Sequence, residues 1–338
     1  MQKIDRLQRR VIWMLINPDT GRVKVEKINW KQAEPRKGDY RLEELREAVI
    51  KRGYEGRSFF LHIIPDVPEW SEDIKGDYAG FLKTVSEFCK EYPWIYSIDV
   101  TIPEEEEKEY KEIADIYIEE FQGIYKMVCP DCEQLAAYMC GNKDVGIILD
   151  SDKDTARIGS QIAELGLQKV WEHAPVRMEG KGLSKDMLHN AVRWHVSAIE
   201  TEEEAEDIEI APLGFRPEVR HCYTVSEVNK NGKLPVKAWV VNSGNAPSYL
   251  NACFKLRLQR IGGDEELVWD TELKACECYP GEDVLLETEV PVEGLPEGEY
   301  ELQMGLFDRK TGYPISMGIE GRISDGFYFT DMNIFVCK

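Results

Sequence analysis

One change of hydrophobic periodicity, near Leu213, limits this chain more than any single motif. Before it, apolar strand-like runs alternate with helical patterns. After it, short β-rich runs follow one another across the turn pairs Asn231-Gly232, Gly262-Gly263, Pro280-Gly281 and Glu297-Gly298. Alternating strands and helices bury a parallel sheet under helices, whereas closely spaced strands joined by tight turns pair antiparallel. The pattern therefore predicts an α/β TIM-like (β/α)8 barrel, shortened, over residues 1–211, and an all-β antiparallel sandwich over residues 212–338. Eight runs suit the barrel: Val11–Ile16, Val23–Trp30, Ser58–Ile64, Ile95–Thr101, Ile124–Cys129, Val145–Asp150, Lys169–Val176 and His195–Ile199. Helical patterns fill most gaps, at Leu42–Lys51, Tyr78–Glu91, Glu104–Phe121, Glu133–Cys140, Asp154–Leu165 and Lys185–Trp194. The gap Asn17–Arg22 is too short for a crossover helix, so the barrel is expected to be trimmed there. In the second half, alternation over Leu234–Val241, Phe254–Leu258, Val284–Val290, Tyr300–Phe307 and Phe327–Val336 suits two packed sheets.

Charge narrows the partners. The 338 residues include 42 basic and 63 acidic side chains, a formal net charge of -21. Such a surface repels phosphate backbones and anionic membranes, so neither nucleic acid nor membrane is an expected partner, and neutral ligands fit better. No apolar run reaches the length of a membrane helix, and the N-terminal stretch does not read as a secretory signal, so a cytoplasmic location is expected for the chain as given. Nine scattered cysteines, an odd number, are expected as reduced thiols. Cys129-Pro130-Asp131-Cys132 has the spacing of a zinc or redox half-site, but the distant Cys276-Glu277-Cys278 does not complete it, so no metal and no cofactor are expected.

An α/β barrel keeps its chemistry beyond the carboxyl ends of its strands. The stretch from Glu172 to Gly182 follows the apolar Lys169-Val170-Trp171 and holds two acids, a histidine and glycines that permit close approach to a ligand, with Ser184 as a candidate cap of the next helix. Asp66, Asp99, Glu104, Asp150, Asp152, Glu172 and Glu179 all fall at or just past predicted strand ends. Trp30, Trp70 and Trp171 offer faces on which a sugar ring can stack. His62, His173 and His195 are candidates to hydrogen-bond a sugar hydroxyl or tune a carboxylate. Tyr249, Tyr279 and Tyr313 in the second half are too isolated to form a binding row.

Trp30, Glu34-Pro35, Gly38, Tyr40, the strand Phe59–Ile64 and Pro68-Glu69-Trp70 together resemble the second-to-third-strand passage of β-galactosidase-like clan A glycoside hydrolases. Further on, Ile113-Ala114-Asp115-Ile116-Tyr117, Ala174-Pro175-Val176, Glu179, Leu213-Gly214-Phe215-Arg216 and Asn242-Ser243-Gly244-Asn245-Ala246-Pro247 look like the family called domain of unknown function 4832, which joins a glycosidase-like barrel to a β-sandwich. The resemblance runs from about Trp30 to the C-terminus, and the Gly-Phe-Arg and Asn-Ser-Gly-Asn-Ala-Pro segments are its most specific parts.

The resemblance implies an acid/base at the end of strand four and a nucleophile at the end of strand seven. Glu179 suits the nucleophile. At strand four the chain reads Asp99-Val100-Thr101-Ile102-Pro103-Glu104, without the Asn-Glu pair of active clan A members, so Glu104 and Asp99 are the candidate partners. Glu104 also reads as the first turn of an acidic helix. The expected catalytic residues are Glu179, Glu104 and Asp99, and the expected substrate-binding residues are Trp30, His62, Asp66, Asp150, Trp171, Glu172 and His173. Two functions follow: a glycoside hydrolase acting on neutral oligosaccharide through paired carboxylates, or a non-catalytic carbohydrate-binding or interaction protein with a degenerate barrel.

Overall fold

A computed structural model describes residues 25–54, 59–181, 185–201, 213–315, 317–319 and 321–338. The expected strand Val11–Ile16, the cap Ser184, Gly182 and the expected boundary at residues 211 and 212 lie outside the described residues. Two compact units are present, one within residues 25–201 and the other within residues 213–338.

The first unit is a sheet of seven parallel strands in sequential order, curled into a partial α/β barrel. Its strands are β1 (Val25–Asn29), β2 (Phe59–Ile64), β3 (Ile95–Asp99), β4 (Tyr125–Val128), β5 (Val145–Asp150), β6 (Val176–Gly180) and β7 (Ala198–Thr201). Helices fill the crossovers: α1 (Trp30–Ala33), α2 (Glu43–Tyr54), α3 (Ile74–Lys90), α4 (Tyr110–Glu120), α5 (Glu133–Met139), α6 (Thr155–Glu164) and α7 (Lys185–Arg193). Parallel pairing demands such crossovers. Asp73 caps α3 and Asp154 caps α6, each carboxylate accepting a first-turn amide.

Successive strand residues face opposite ways. On β2, Phe59, Leu61 and Ile63 join a core with Phe81, Leu82 and Val85 of α3, while Phe60 and His62 lie on the other face. Register places Lys27, His62, Asp99 and Met127 side by side on that other face, and on the later strands Asp150, Glu179 and Glu200. The helix-facing side is apolar and the enclosed side is rich in charge. The seam between the outer strands is close enough for the Val25 amide to donate to Glu200 Oε1 at 3.2 Å.

Two strands depart most from the sequence expectation. Lys169-Val170-Trp171 does not begin strand six: Val170–Glu172 form a single 3-10 turn, and β6 starts only at Val176. β7 likewise starts three residues later than expected, at Ala198, which brings Glu200 into it. The acidic run Glu104–Glu109 is a 3-10 turn ahead of α4 and carries no buried residue.

The second unit holds two sheets. β8 (Pro217–Thr224), β10 (Lys233–Asn242) and β13 (Asp283–Pro291) form one, in the order β13-β10-β8. The other is built on β12 (Glu266–Lys274), β11 (Ala252–Arg260), β14 (Gly298–Asp308), β17 (Phe327–Cys337) and β16 (Ile323–Ser324), with β15 (Pro314–Ile315) paired to β14 and β9 (Glu227–Asn229) paired to β17. All these pairings are antiparallel except β17 with β9.

The Gly-Phe-Arg and Asn-Ser-Gly-Asn-Ala-Pro segments meet within this unit. Asn242 is fully buried; its Oδ1 accepts from the amides of Arg216 and Gly244, both at 3.0 Å, and its Nδ2 donates to the carbonyls of Ala246 at 2.8 Å and Cys278 at 3.1 Å. A Cβ on Gly244 would stand 2.0 Å from the Gly214 carbonyl, so only glycine allows this approach. Asn242→Ala leaves four backbone groups without their partner and should lower unfolding stability by more than ~2 kcal/mol, read as a fall in the urea midpoint at constant slope.

Candidate functional site

Asp99 ends β3 and Arg177 stands second in β6, with two strands between them. In a flat sheet that spacing is about 14 Å, beyond the reach of the two side chains. Here Arg177 Nη1 donates to Asp99 Oδ1 at 2.8 Å and Nη2 to Oδ2 at 2.7 Å, a bidentate pair spanning the enclosed face of the curled sheet. Arg177 is 1% exposed and Asp99 2%. His62 Nδ1 makes a third contact to Asp99, 2.8 Å from Oδ2. Burial pushes the Asp99 carboxyl up, but the Arg177 charge and the hydrogen bonds from His62 and Arg177 outweigh it, leaving Asp99 below its ordinary value. For Arg177, burial acts against the charged form, and the nearby carboxylates overcome it.

Toward the carboxyl ends the charge becomes accessible. Arg177 Nη2 also reaches Glu179 Oε2 at 3.3 Å, and the Glu179 side chain is 43% exposed. Glu200 of β7 is its register partner. Burial raises the Glu200 carboxyl above the usual range; Arg177 and the Val25 amide oppose the shift, and Glu179 and Asp99 add to it. Glu179 and Glu200 therefore sit one strand apart, with Glu179 in contact with a guanidinium and Glu200 in a more desolvated setting.

The rim beside them is tied down by local bonds. Ser151 donates its amide to the Glu179 carbonyl at 2.6 Å, Asp150 Oδ1 accepts from the Asp152 amide at 2.9 Å, and Asp152 Oδ1 accepts from the Lys181 amide at 3.1 Å. A Cβ on Gly180 would collide with Ser151 Oγ, so this glycine serves the close packing of the β5 and β6 ends rather than ligand approach. Lys153 pairs with Asp131 and stands 3.6 Å from Asp150. Burial, with Cys132 adding to it, pushes the Cys129 thiol up to about 11, which keeps it protonated at neutral pH.

The structure gathers only part of the expected set at this end of the strands. His62, Asp99, Asp150 and Glu179 are there, and Asp66 lies just past β2, where it accepts from Asn29 Nδ2 at 2.6 Å. Glu104 is exposed on its 3-10 turn. Trp30 is fully buried among Tyr78, Phe81 and Trp70, with its indole N–H on Glu34 at 2.9 Å, so it presents no face to a ligand. Trp171, Glu172 and His173 precede β6 and thus lie at the amino ends of the strands, where Trp171 stacks on His195 at 3.6 Å between ring centroids. Arg177 and Glu200 carry the site's electrostatics, and neither is among the expected catalytic or substrate-binding residues. The available signal was the inward period of two, which links Arg177 to Glu179 and places Glu200 one residue beyond the expected end of its strand.

No protein-family model matches this sequence, the domain of unknown function 4832 included, and no curated protein matches it. Among solved structures, a psychrophilic glycoside hydrolase family 10 endo-beta-1,4-xylanase aligns at 9% identity and TM-score 0.34, covering 52% of this chain and 77% of that one. A beta-glucosidase from Listeria innocua aligns at 9% identity and TM-score 0.22, covering 66% of this chain and 39% of that one. A CARDB domain from Pyrococcus furiosus aligns at 15% identity and TM-score 0.21, covering 36% of this chain and 93% of that one.

Removing one member of the buried pair strands the other. Asp99→Asn should cost about 3–5 kcal/mol at neutral pH in urea unfolding, and Asp99→Leu combined with Arg177→Met should recover most of the loss. Because the folded pKa of Asp99 lies below its ordinary 3.8, the stability it contributes is present above pH 3.8 and is lost as the pH falls through the folded value. The gap between wild type and Asp99→Asn should therefore close in strong acid.

Proposed function

We propose that the chain is a glycoside hydrolase acting on neutral oligosaccharide, with Glu179 and Glu200 as the paired carboxyl groups at the mouth of a shortened barrel that carries a β-sandwich. The observation that carries this reading is the contrast within one cross-strand pair: Glu179 touches Arg177 and is open to solvent, while Glu200 is pushed toward its protonated form by burial. Glycosidic cleavage needs one carboxyl to donate a proton and a second to meet the developing positive charge at the anomeric carbon. A carboxyl raised by burial suits the donor's role. Glu200 is then the proton donor and Glu179 the carboxylate. A net charge of -21 disfavours uronates and other anionic sugars and supports a neutral substrate.

Asp99 and Glu104 have no catalytic part in this reading, since Asp99 is engaged by Arg177 and His62 and Glu104 stands on an exposed turn. The same two facts favour a second reading, a degenerate barrel that binds sugar without cleaving it. Reducing-sugar release from a panel of neutral glycans separates the two. Under the hydrolase reading, Glu179→Gln and Glu200→Gln should each slow release by about 10²–10⁴-fold at nearly unchanged Tm. Loss of the rate as pH rises through the Glu200 value should disappear in Glu200→Gln, and an aryl glycoside whose leaving group needs no proton should rescue that variant but not Glu179→Gln. Full activity in both variants excludes the pair, and calorimetric binding by a wild type that cleaves nothing selects the second reading.

A further inference from the structure

One face of the three-stranded sheet carries a row of large side chains that are exposed within the described part of this unit. Trp239 at the centre of β10 pairs in register with His221 of β8 on one side and Leu285 of β13 on the other, so the row crosses the sheet from edge to edge. Tyr223, two residues along β8 on the same face, sets its ring 6.2 Å from that of His221 at 34°. Tyr223 is 58% exposed, and Trp239 and Leu285 are each 40% exposed. The strand alternation of β10 leaves its odd-numbered residues from Lys233 to Trp239 exposed and buries the even-numbered ones, so the tryptophan is on the solvent side by register. An aromatic cluster open to water on a rigid sheet marks a binding surface.

The charges around the row define what it fits. Lys237 pairs with Glu287 at 2.5 Å, Lys233 with Glu289 at 3.3 Å, and Arg220 with Asp283 at 3.9 Å. Each basic group here is neutralised by an acid of the same sheet, within a chain whose net charge is -21. A neutral patch offers nothing to a polyanion or a polycation. It suits a molecule that presents flat C–H faces for stacking and hydroxyls for the flanking ion pairs. Four side chains fall far short of the ~20–30 residues a side of a stable protein interface, which disfavours a second copy as the occupant.

We propose that this face of the sheet β13-β10-β8 is a non-catalytic site for a neutral polysaccharide chain, its sugar rings stacked on Trp239, Tyr223 and His221. The site stands on the sheet face alone and does not depend on the carboxyl pair of the barrel.

Co-sedimentation of the full chain with microcrystalline cellulose, and its retardation in native gels containing soluble glucomannan, test the proposal, with polygalacturonate as the charged control. Wild type should be retained by at least one neutral polymer and not by polygalacturonate. Trp239→Ala and Tyr223→Ala should each weaken retention by roughly tenfold or more, Trp239→Tyr should restore much of it, and thermal melting should confirm that each variant is folded. Phe335→Ala, at an exposed aromatic of the other sheet, should be retained like wild type, which separates this row from surface aromatics in general. The proposal is overturned if neither neutral polymer retains the wild type, if the Trp239 and Tyr223 alanine variants are retained as well as wild type, or if Phe335→Ala loses retention as they do. It is also overturned if Trp239→Ala abolishes concentration-dependent dimerisation in sedimentation equilibrium while glycan retention is absent, since the face then belongs to a second copy.

Discussion

The bidentate pair between Arg177 and Asp99 is the constraint on which the barrel unit turns. It joins β3 to β6 across the enclosed face, a contact that exists only while the sheet is curled. Taking two charges out of water costs nearly what their attraction returns, so such a pair adds little net stability over an apolar replacement. Its value is geometric. The guanidinium that holds Asp99 also reaches Glu179, and the Asp99 carboxylate also holds His62, so one buried pair orients two further groups. The helices then only have to cover an apolar outer face, which Phe59, Leu61, Ile63 and the core of α3 supply.

Most of the barrel unit was readable from period alone. β5 was placed to the residue, and β2, β3 and β4 to within two, because their outer faces are continuous apolar stripes under amphipathic helices. β6 was not. Its sequence Val176-Arg177-Met178-Glu179-Gly180 puts two charges on the enclosed face, and a strand with buried charge looks like a loop until the distant Asp99 that pairs with Arg177 is known. The nearby Lys169-Val170-Trp171 looked more strand-like and took its place. Trp30 misled in the opposite sense: an aromatic at a strand end suggests a stacking platform, yet a neighbouring Glu34 satisfies its indole N–H and lets the ring enter the core completely.

In the second unit the expected strands are all present, while the short β9, β15 and β16 and the longer β8 and β12 are not among those expected; of these the last two are the more telling. Both are edge strands of their sheets, and their exposed outer positions blur the apolar alternation that marks a strand. The two segments that stood out in the sequence, around Gly214 and Asn242, turn out to be halves of one hydrogen-bonded hub. Asn245 takes the Gly214 amide just as Asn242 takes that of Arg216, so two asparagines do for a pair of loops what a strand ladder does for a sheet.

The hydrogen bond from Val25 to Glu200 joins the first and last strands of the described sheet through the very carboxyl that stands beside Glu179. An ionised carboxylate is a stronger acceptor than a neutral acid. The grip on the seam thus tightens when Glu200 loses its proton and relaxes when it regains one. Protonation of Glu200 and the hold on the seam are linked through a single oxygen, and the exchange of the Val25 amide with solvent becomes a local report on the proton on Glu200.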